Sequence, residues 1–154
     1  MSAPQREAQL TPPPAPTVAT PAAVLLVEAD LAAANALQSV VASASEHCAW
    51  VLHESSLAAA RRLLAACHFR LILLDPVLPD ASPGQALRAI KRAAPATALV
   101  LVWGRGTALA EMECDLRPEA ARLAGAVAVL RRDEEAELAR LVRQVLGLSI
   151  RTVE

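Results

Sequence analysis

A buried apolar run that ends in a single carboxylate constrains this chain more than any other feature. Residues 71–74 read Leu-Ile-Leu-Leu, Asp75 follows at once, and Pro76 and Pro79 then interrupt regular structure. A short apolar run between such breaks is typical of a strand buried on both faces, as in a parallel sheet. Ligands of open parallel sheets bind in the crevice outside the carboxyl ends of the strands. Asp75 is therefore either part of a functional site or simply the polar end of a strand.

The composition is that of one ordinary globular domain. A length of 154 residues suits a single domain, and 55% hydrophobic residues with a mean hydropathy of +0.36 exclude global disorder. A net charge of −1 gives no electrostatic reason to expect nucleic-acid or membrane binding. With so few aromatic residues there is no stacking platform for single-stranded nucleic acid. No apolar run approaches the ~18 residues that a membrane span needs.

The cysteines and the N-terminus favour a cytoplasmic protein. Cys48, Cys67 and Cys114 show no metal-ligand spacing, and we expect them to be reduced and mostly buried, with an exposed thiol as the alternative for Cys67 and Cys114. The N-terminus lacks the basic and apolar regions of a signal peptide, so secretion is not expected.

Both ends of the chain differ from the part between them. Residues 1–22 are rich in proline and alanine, which predicts a disordered tail, either a plain tether or a ligand for a proline-recognising module. Residues 148–154 form a short C-terminal stub, and residues 23–147 form the domain.

Five strand-like apolar runs alternate with five helix-like stretches. We expect Asp30, Ser55 or Ser56, and Asp133 to cap the first, second and last helices, and Gly125 and Gly147 to end the fourth and fifth. This alternation predicts a doubly wound α/β sandwich. The segment 107–124 is the least readable. The predicted strands are 23–27, 50–52, 70–75, 98–103 and 126–130, and the predicted helices are 31–44, 57–67, 84–93, 118–124 and 134–146.

Several short motifs fall in an order that resembles a known family. They are Val-Leu-Leu-Val-Glu at 24–28, the run into Asp75, Leu-Pro-Asp at 78–80 followed by Gly84, and Gly-Ala at 125–126. Over residues 22–147 the chain is similar to the receiver domain of bacterial response regulators. The resemblance implies a flavodoxin-like fold with strand order 2-1-3-4-5. It also implies transfer of a phosphoryl group from a histidine kinase to the aspartate after the third strand.

The resemblance places family roles on five positions, of which some are altered. Asp75 matches the phosphoacceptor, and Glu28 matches the first residue of the acidic pair that organises a divalent ion. The second acid of that pair, a metal ligand, falls on Ala29. The hydroxyl residue that ends the fourth strand falls on Trp103, and the lysine that ends the fifth falls on Arg132.

Each alteration leaves two interpretations open. Mg²⁺ binding is weakened by the missing carboxylate, unless Asp30 turns inward to supply an oxygen instead of capping the first helix. Arg132 either takes the place of the lysine or forms an ordinary ion pair with Glu28 or Asp75. Trp103 either fills the space of the phosphoryl group or turns outward as a strand-end or partner contact.

Two further family positions are also changed. The switch aromatic of the fifth strand falls on Val129, and the proline that follows the lysine falls on Asp133.

These observations lead to a degenerate receiver as the first functional hypothesis, a signalling module that binds protein partners with impaired phosphorylation of Asp75. The alternative is a stand-alone receiver that a histidine kinase phosphorylates. The stretch 146–154 is similar to the turn and early recognition helix of helix-turn-helix domains, but the long helix and its supporting helices are missing. An enzyme is not expected, since no Gly-rich phosphate loop follows the first strand, and His47, His53 and His68 show no suggestive pairing with Ser or Cys.

Overall fold

The computed structural model describes residues 22–104 and 118–147. The predictions for the N-terminal tail, for Cys114, for most of the segment 107–124 and for the C-terminal stub therefore lie outside the described residues.

A five-stranded parallel sheet forms the centre of the molecule, in the order β2-β1-β3-β4-β5. The predicted α/β architecture and strand order are confirmed. In β3 all four residues are buried, as expected of a strand covered on both faces. The strands are β1 (Ala22–Val27), β2 (Ala49–Glu54), β3 (Leu71–Leu74), β4 (Ala98–Trp103) and β5 (Ala128–Arg131).

Helices cover both faces of this sheet and bury a separate apolar core on each. One core contains residues of α2, α3 and α4, and the other contains residues of α1 and α5. Alternate residues of the strands point into the two cores, following the period of two along a strand. Within the described residues, no helix is long and apolar enough to cross a membrane. The helices are α1 (Leu31–Ala44), α2 (Leu57–Ala66), α3 (Pro83–Ala93), α4 (Pro118–Leu123) and α5 (Glu135–Leu146).

Most predicted helix ends are confirmed, with one cap misplaced. Asp30 and Ser56 accept hydrogen bonds from the first-turn amides of α1 and α2, while Gly125 and Gly147 adopt the positive φ angles of 110° and 68° that favour glycine. Asp133 is not the cap of α5, because β5 runs on to Arg131 and a turn follows. Glu134 takes the N-cap position, and its carboxylate instead accepts the N–H of Arg131.

Two other expectations need correction. The fifth strand begins at Ala128 instead of residue 126, after the turn at Gly125, although the Val127 N–H already donates to the Leu99 carbonyl oxygen of β4 at 2.8 Å. Cys48 and Cys67 are exposed, so the prediction of mostly buried thiols is wrong for both. Each lies at an end of regular structure, Cys48 just before β2 and Cys67 at the C-cap of α2.

Candidate functional site

Two carboxylates meet at the carboxyl edge of the sheet because β1 and β3 are parallel neighbours. Val27 pairs with Leu74 at the end of the two strands, so the next residues, Glu28 and Asp75, lie side by side. The Asp75 amide still donates to the Val27 carbonyl oxygen at 2.9 Å, which holds Asp75 in line with the sheet. The fold therefore brings together Glu28 and Asp75, the two acids that the sequence predicted for this site.

Both carboxylates are buried, and each of their four oxygens accepts a hydrogen bond. Glu28 is 2% exposed and Asp75 is 4% exposed. Glu28 Oε1 accepts the Asp30 N–H at 3.0 Å, and Asp75 Oδ1 accepts the Val77 N–H at 2.9 Å. The two remaining oxygens, Glu28 Oε2 and Asp75 Oδ2, accept from Arg132. Buried charges are tolerated only when they are paired in this way.

One nitrogen of Arg132 bridges the two acids. Arg132 Nη2 lies 2.5 Å from Glu28 Oε2 and 2.7 Å from Asp75 Oδ2. The Arg132 amide donates to the Trp103 carbonyl oxygen at 2.9 Å, which fixes the start of this side chain beside β4. Arg132 thus forms the ion pair, with both acids at once, and its role in place of the lysine stays a prediction.

Burial changes the acidity of the candidate phosphoacceptor. Burial and, next, the neighbouring Glu28 carboxyl raise the pKa of Asp75 from 3.8 to about 7, although the Val77 N–H and the Arg132 guanidinium act in the opposite direction. Close to neutral pH, a substantial fraction of the Asp75 carboxyl therefore carries a proton. A protonated carboxyl is a poor nucleophile.

The remaining candidate metal ligand faces away from this pair. Asp30 is exposed, and its Oδ1 accepts the N–H groups of Ala32 and Ala33 as the cap of α1. The side chain of Ala29 has no oxygen to offer a metal. In residues 22–104 and 118–147, no group of three or more His, Cys, Asp or Glu side chains is arranged to hold a metal ion.

Trp103 ends β4 with its side chain in the core and not in solvent. The residue is 3% exposed and packs in the core that α2, α3 and α4 cover. Of the two interpretations of Trp103, the outward strand-end or partner contact is therefore wrong. Its indole Nε1 is buried and has no hydrogen-bond partner among the described residues. Val129, where the resemblance places the switch aromatic, packs against the same core.

Two contacts at the rim were not predicted from the sequence. Asp80 accepts the N–H groups of Leu57 and Ala58, both at 2.9 Å, and so caps α2 from the loop that follows β3. His53 Nε2–H donates to the Glu28 carbonyl oxygen at 2.7 Å. Both partners are more than twenty residues away in sequence. The only signal was the place of Asp80 in the Leu-Pro-Asp motif, which does not reveal its partner.

Comparison with solved structures identifies the fold. The signal receiver domain of an HD domain-containing protein from Pseudomonas fluorescens superposes with a TM-score of 0.67 at 21% identity, over 82% of this chain and 94% of that one. A response regulator receiver domain protein from Clostridium thermocellum gives a TM-score of 0.65 at 21% identity, over 82% of this chain and 94% of that one.

A third similar structure bears on the metal. The receiver domain of a sensor histidine kinase from Pseudomonas aeruginosa, with a magnesium ion coordinated in its active site cleft, gives a TM-score of 0.64 at 22% identity, over 82% of this chain and 98% of that one. No protein-family model matches the chain, and no curated protein matches it. The fold of this protein is that of response regulator receiver domains.

Proposed function

We propose that this chain is a receiver-type signalling module that binds protein partners in the cytoplasm and in which Asp75 is a poor phosphoacceptor. The fold and the position of Asp75 after β3 support the receiver assignment. Candidate partners are a histidine kinase or another signalling protein. The near-zero net charge gives no support to nucleic acid as the partner.

The observation that carries this proposal is the state of the Asp75 carboxyl group. Transfer of a phosphoryl group needs one carboxylate oxygen free to attack phosphorus. Asp75 Oδ1 is held by the Val77 N–H, and Asp75 Oδ2 is held by Arg132 at 2.7 Å. The group is also 4% exposed and partly protonated near neutrality. Each of these conditions lowers the reactivity of the carboxylate.

The end of β4 supports the same conclusion. The family hydroxyl that contacts the phosphoryl group is replaced by Trp103, whose side chain packs in the core. A hydrogen bond to a charged group contributes about 1.5–3 kcal/mol, so its loss removes a corresponding share of the stabilisation of a bound phosphoryl group. Ala29 removes a further oxygen from the acid pair.

The test is direct phosphorylation followed by intact-mass spectrometry. Wild-type protein is incubated with acetyl phosphate and Mg²⁺, in parallel with a receiver domain of known activity and with the Asp75→Asn variant. We expect the known receiver to gain a phosphoryl group and both forms of this protein to remain unlabelled. A variant that restores the family residues, Ala29→Asp with Trp103→Thr and Arg132→Lys, should regain labelling.

The second candidate function is a receiver that Asp75 phosphorylation activates. The close approach of Glu28 and Asp75 at the sheet edge favours it, because this is the acid arrangement that the resemblance implies. Labelling of the wild type that disappears in Asp75→Asn would establish this function and overturn the proposal of a poor phosphoacceptor.

A further inference from the structure

The strongest unexplained feature of the site is the position of a single guanidinium nitrogen. Arg132 Nη2 lies within 2.7 Å of one oxygen from each of the two buried acids. A cation bound through Glu28 Oε2 and Asp75 Oδ2 would compete with this nitrogen for the same two oxygens. In this protein, the protein's own side chain already supplies a positive charge there.

The backbone around Arg132 fits this position closely. A Cβ atom added at Gly104 would lie 3.3 Å from Arg132 Cζ and 3.4 Å from Nη1, so the guanidinium lies almost against the backbone of residue 104. The Arg132 amide is held by the Trp103 carbonyl oxygen. The guanidinium is therefore placed by both its own backbone and the absence of a side chain at Gly104.

The side chains offer a divalent ion no more than two carboxylates, and Arg132 already occupies one oxygen of each. Mg²⁺ prefers near-octahedral coordination by oxygen, and this site offers two carboxylates, Ala29 in place of the third ligand, and Asp30 used as the cap of α1. A divalent ion between Glu28 and Asp75 would also approach the guanidinium closely, and like charges at such distances repel strongly. The guanidinium already supplies a positive charge to both carboxyl groups.

We propose that Arg132 is a built-in cation that takes the place of the divalent ion, so that the Glu28–Arg132–Asp75 cluster is stable without metal. The cluster ties the ends of β1 and β3 to the turn after β5. The inference deepens the proposed function and rests on the same site, but it concerns metal and not phosphate. Metal binding and phosphorylation of Asp75 are measured independently, so one proposal can be wrong while the other holds.

The test measures metal binding without any phosphodonor. Thermal unfolding of the wild type is compared in EDTA and in millimolar Mg²⁺, and Mn²⁺ binding is followed by electron paramagnetic resonance of the free ion. We expect no change in Tm and no bound Mn²⁺ in the millimolar range. Mn²⁺ binding at submillimolar concentration together with a rise in Tm would overturn the inference, whatever the phosphorylation assay shows.

Two variants separate the role of this guanidinium from a general effect of charge. Arg132→Ala leaves two buried carboxylates without a cation, so we expect a lower Tm in EDTA and a partial recovery in Mg²⁺. Arg131→Ala removes the same charge from an exposed neighbouring residue and should show no response to Mg²⁺. If Arg132→Ala folds but does not respond to Mg²⁺, or if both variants respond equally, the inference is wrong. If Arg132→Ala does not fold, the wild-type measurement decides alone.

Discussion

At the scale of single residues, the site consists of two acidic side chains that share one arginine side chain. Glu28 and Asp75 are buried side by side, and one guanidinium serves both. Burial is the main cause of the raised pKa of Asp75, and the neighbouring Glu28 carboxyl raises it further. Removing one partner from a buried ion pair typically costs about 3–5 kcal/mol, because a charge is left uncompensated. The cluster therefore has a structural role even if it has no catalytic one.

The raised pKa predicts how stability depends on pH. The pKa of Asp75 is about 7 in the folded state and near 3.8 in the unfolded chain, so the folded protein binds this proton more tightly between those values. The contribution of Asp75 to the free energy of unfolding should therefore fall as pH rises from about 4 to about 7 and then stay level. Asp75→Asn should abolish this contribution. Urea unfolding across the range, on both proteins, measures it.

The comparison with the variant isolates Asp75 from the other acids. The pKa values of Asp80 and Glu137 are lowered, by backbone N–H groups and by Arg140 respectively, so their effects fall at more acid pH and have the opposite sign. Asp133→Asn removes an exposed carboxylate that caps no helix and serves as the matched control. Identical pH profiles for wild type and Asp75→Asn would contradict the expectation.

At the scale of one element, β4 sets the surroundings of Trp103, the residue on which the resemblance places a hydroxyl side chain. Its residues alternate between the two cores, and Trp103 continues the side that faces α3 and α4. The large side chain of Trp103 fills part of this core. A small hydroxyl residue at the same position would fill less of the core and could offer a hydrogen bond at the carboxyl edge of the sheet. Trp103 thus packs in the core at the position where the resemblance implies a contact with the phosphoryl group. The unpartnered indole N–H among the described residues is a cost of this exchange.

Substitutions at Trp103 separate its packing from its buried N–H group. We expect Trp103→Ala to lower the free energy of unfolding by about 3–5 kcal/mol, because it leaves a large cavity. Trp103→Phe should cost clearly less, since losing a buried N–H without a partner offsets part of the lost volume. Chemical denaturation measures both. Trp50→Ala, at a residue that is 65% exposed, should stay within about 0.5 kcal/mol of the wild type. Equal losses for Trp103→Phe and Trp103→Ala would refute this account.

At the scale of the whole molecule, the sequence predicts what depends on near neighbours along the chain. The strands follow from apolar runs, and the ends of α4 and α5 follow from Gly125 and Gly147, because a turn with positive φ is a local requirement. The meeting of Glu28 and Asp75 also follows, since each comes directly after a buried parallel strand. These features need no knowledge of distant partners.

Contacts between distant segments could not be read in the same way. Asp80 caps a helix that begins 23 residues earlier, and nothing in the local pattern reveals this partner. The bridging by Arg132 depends on where the turn after β5 comes to lie over Gly104. Asp133 was a reasonable cap by residue type, but the position of that same turn made Glu134 the N-cap instead. Tertiary geometry decided each of these cases.

The two cores share their strands, and this sharing predicts one cooperative unfolding transition. β1, β3 and β4 each contribute alternate residues to both cores, so neither core can persist after the other is lost. Leu138→Ala disturbs the core under α5 and should cost about 2–5 kcal/mol. In a Trp50→Phe background, Trp103 emission reports on the opposite core. We expect Leu138→Ala to shift the urea midpoint equally by Trp103 emission and by far-UV circular dichroism.

Leu87→Ala, on the side where Trp103 lies, is the matched variant and should shift both signals in the same way. An emission midpoint that stays in place while the circular dichroism midpoint moves would show that the cores unfold independently. The ion cluster of Glu28, Arg132 and Asp75 would then fail to join them, although it links the strand ends that both cores use. Coincident midpoints would mean that unfolding of the core on one face of the sheet also unfolds the core on the other face. This is expected when the strands are buried on both sides.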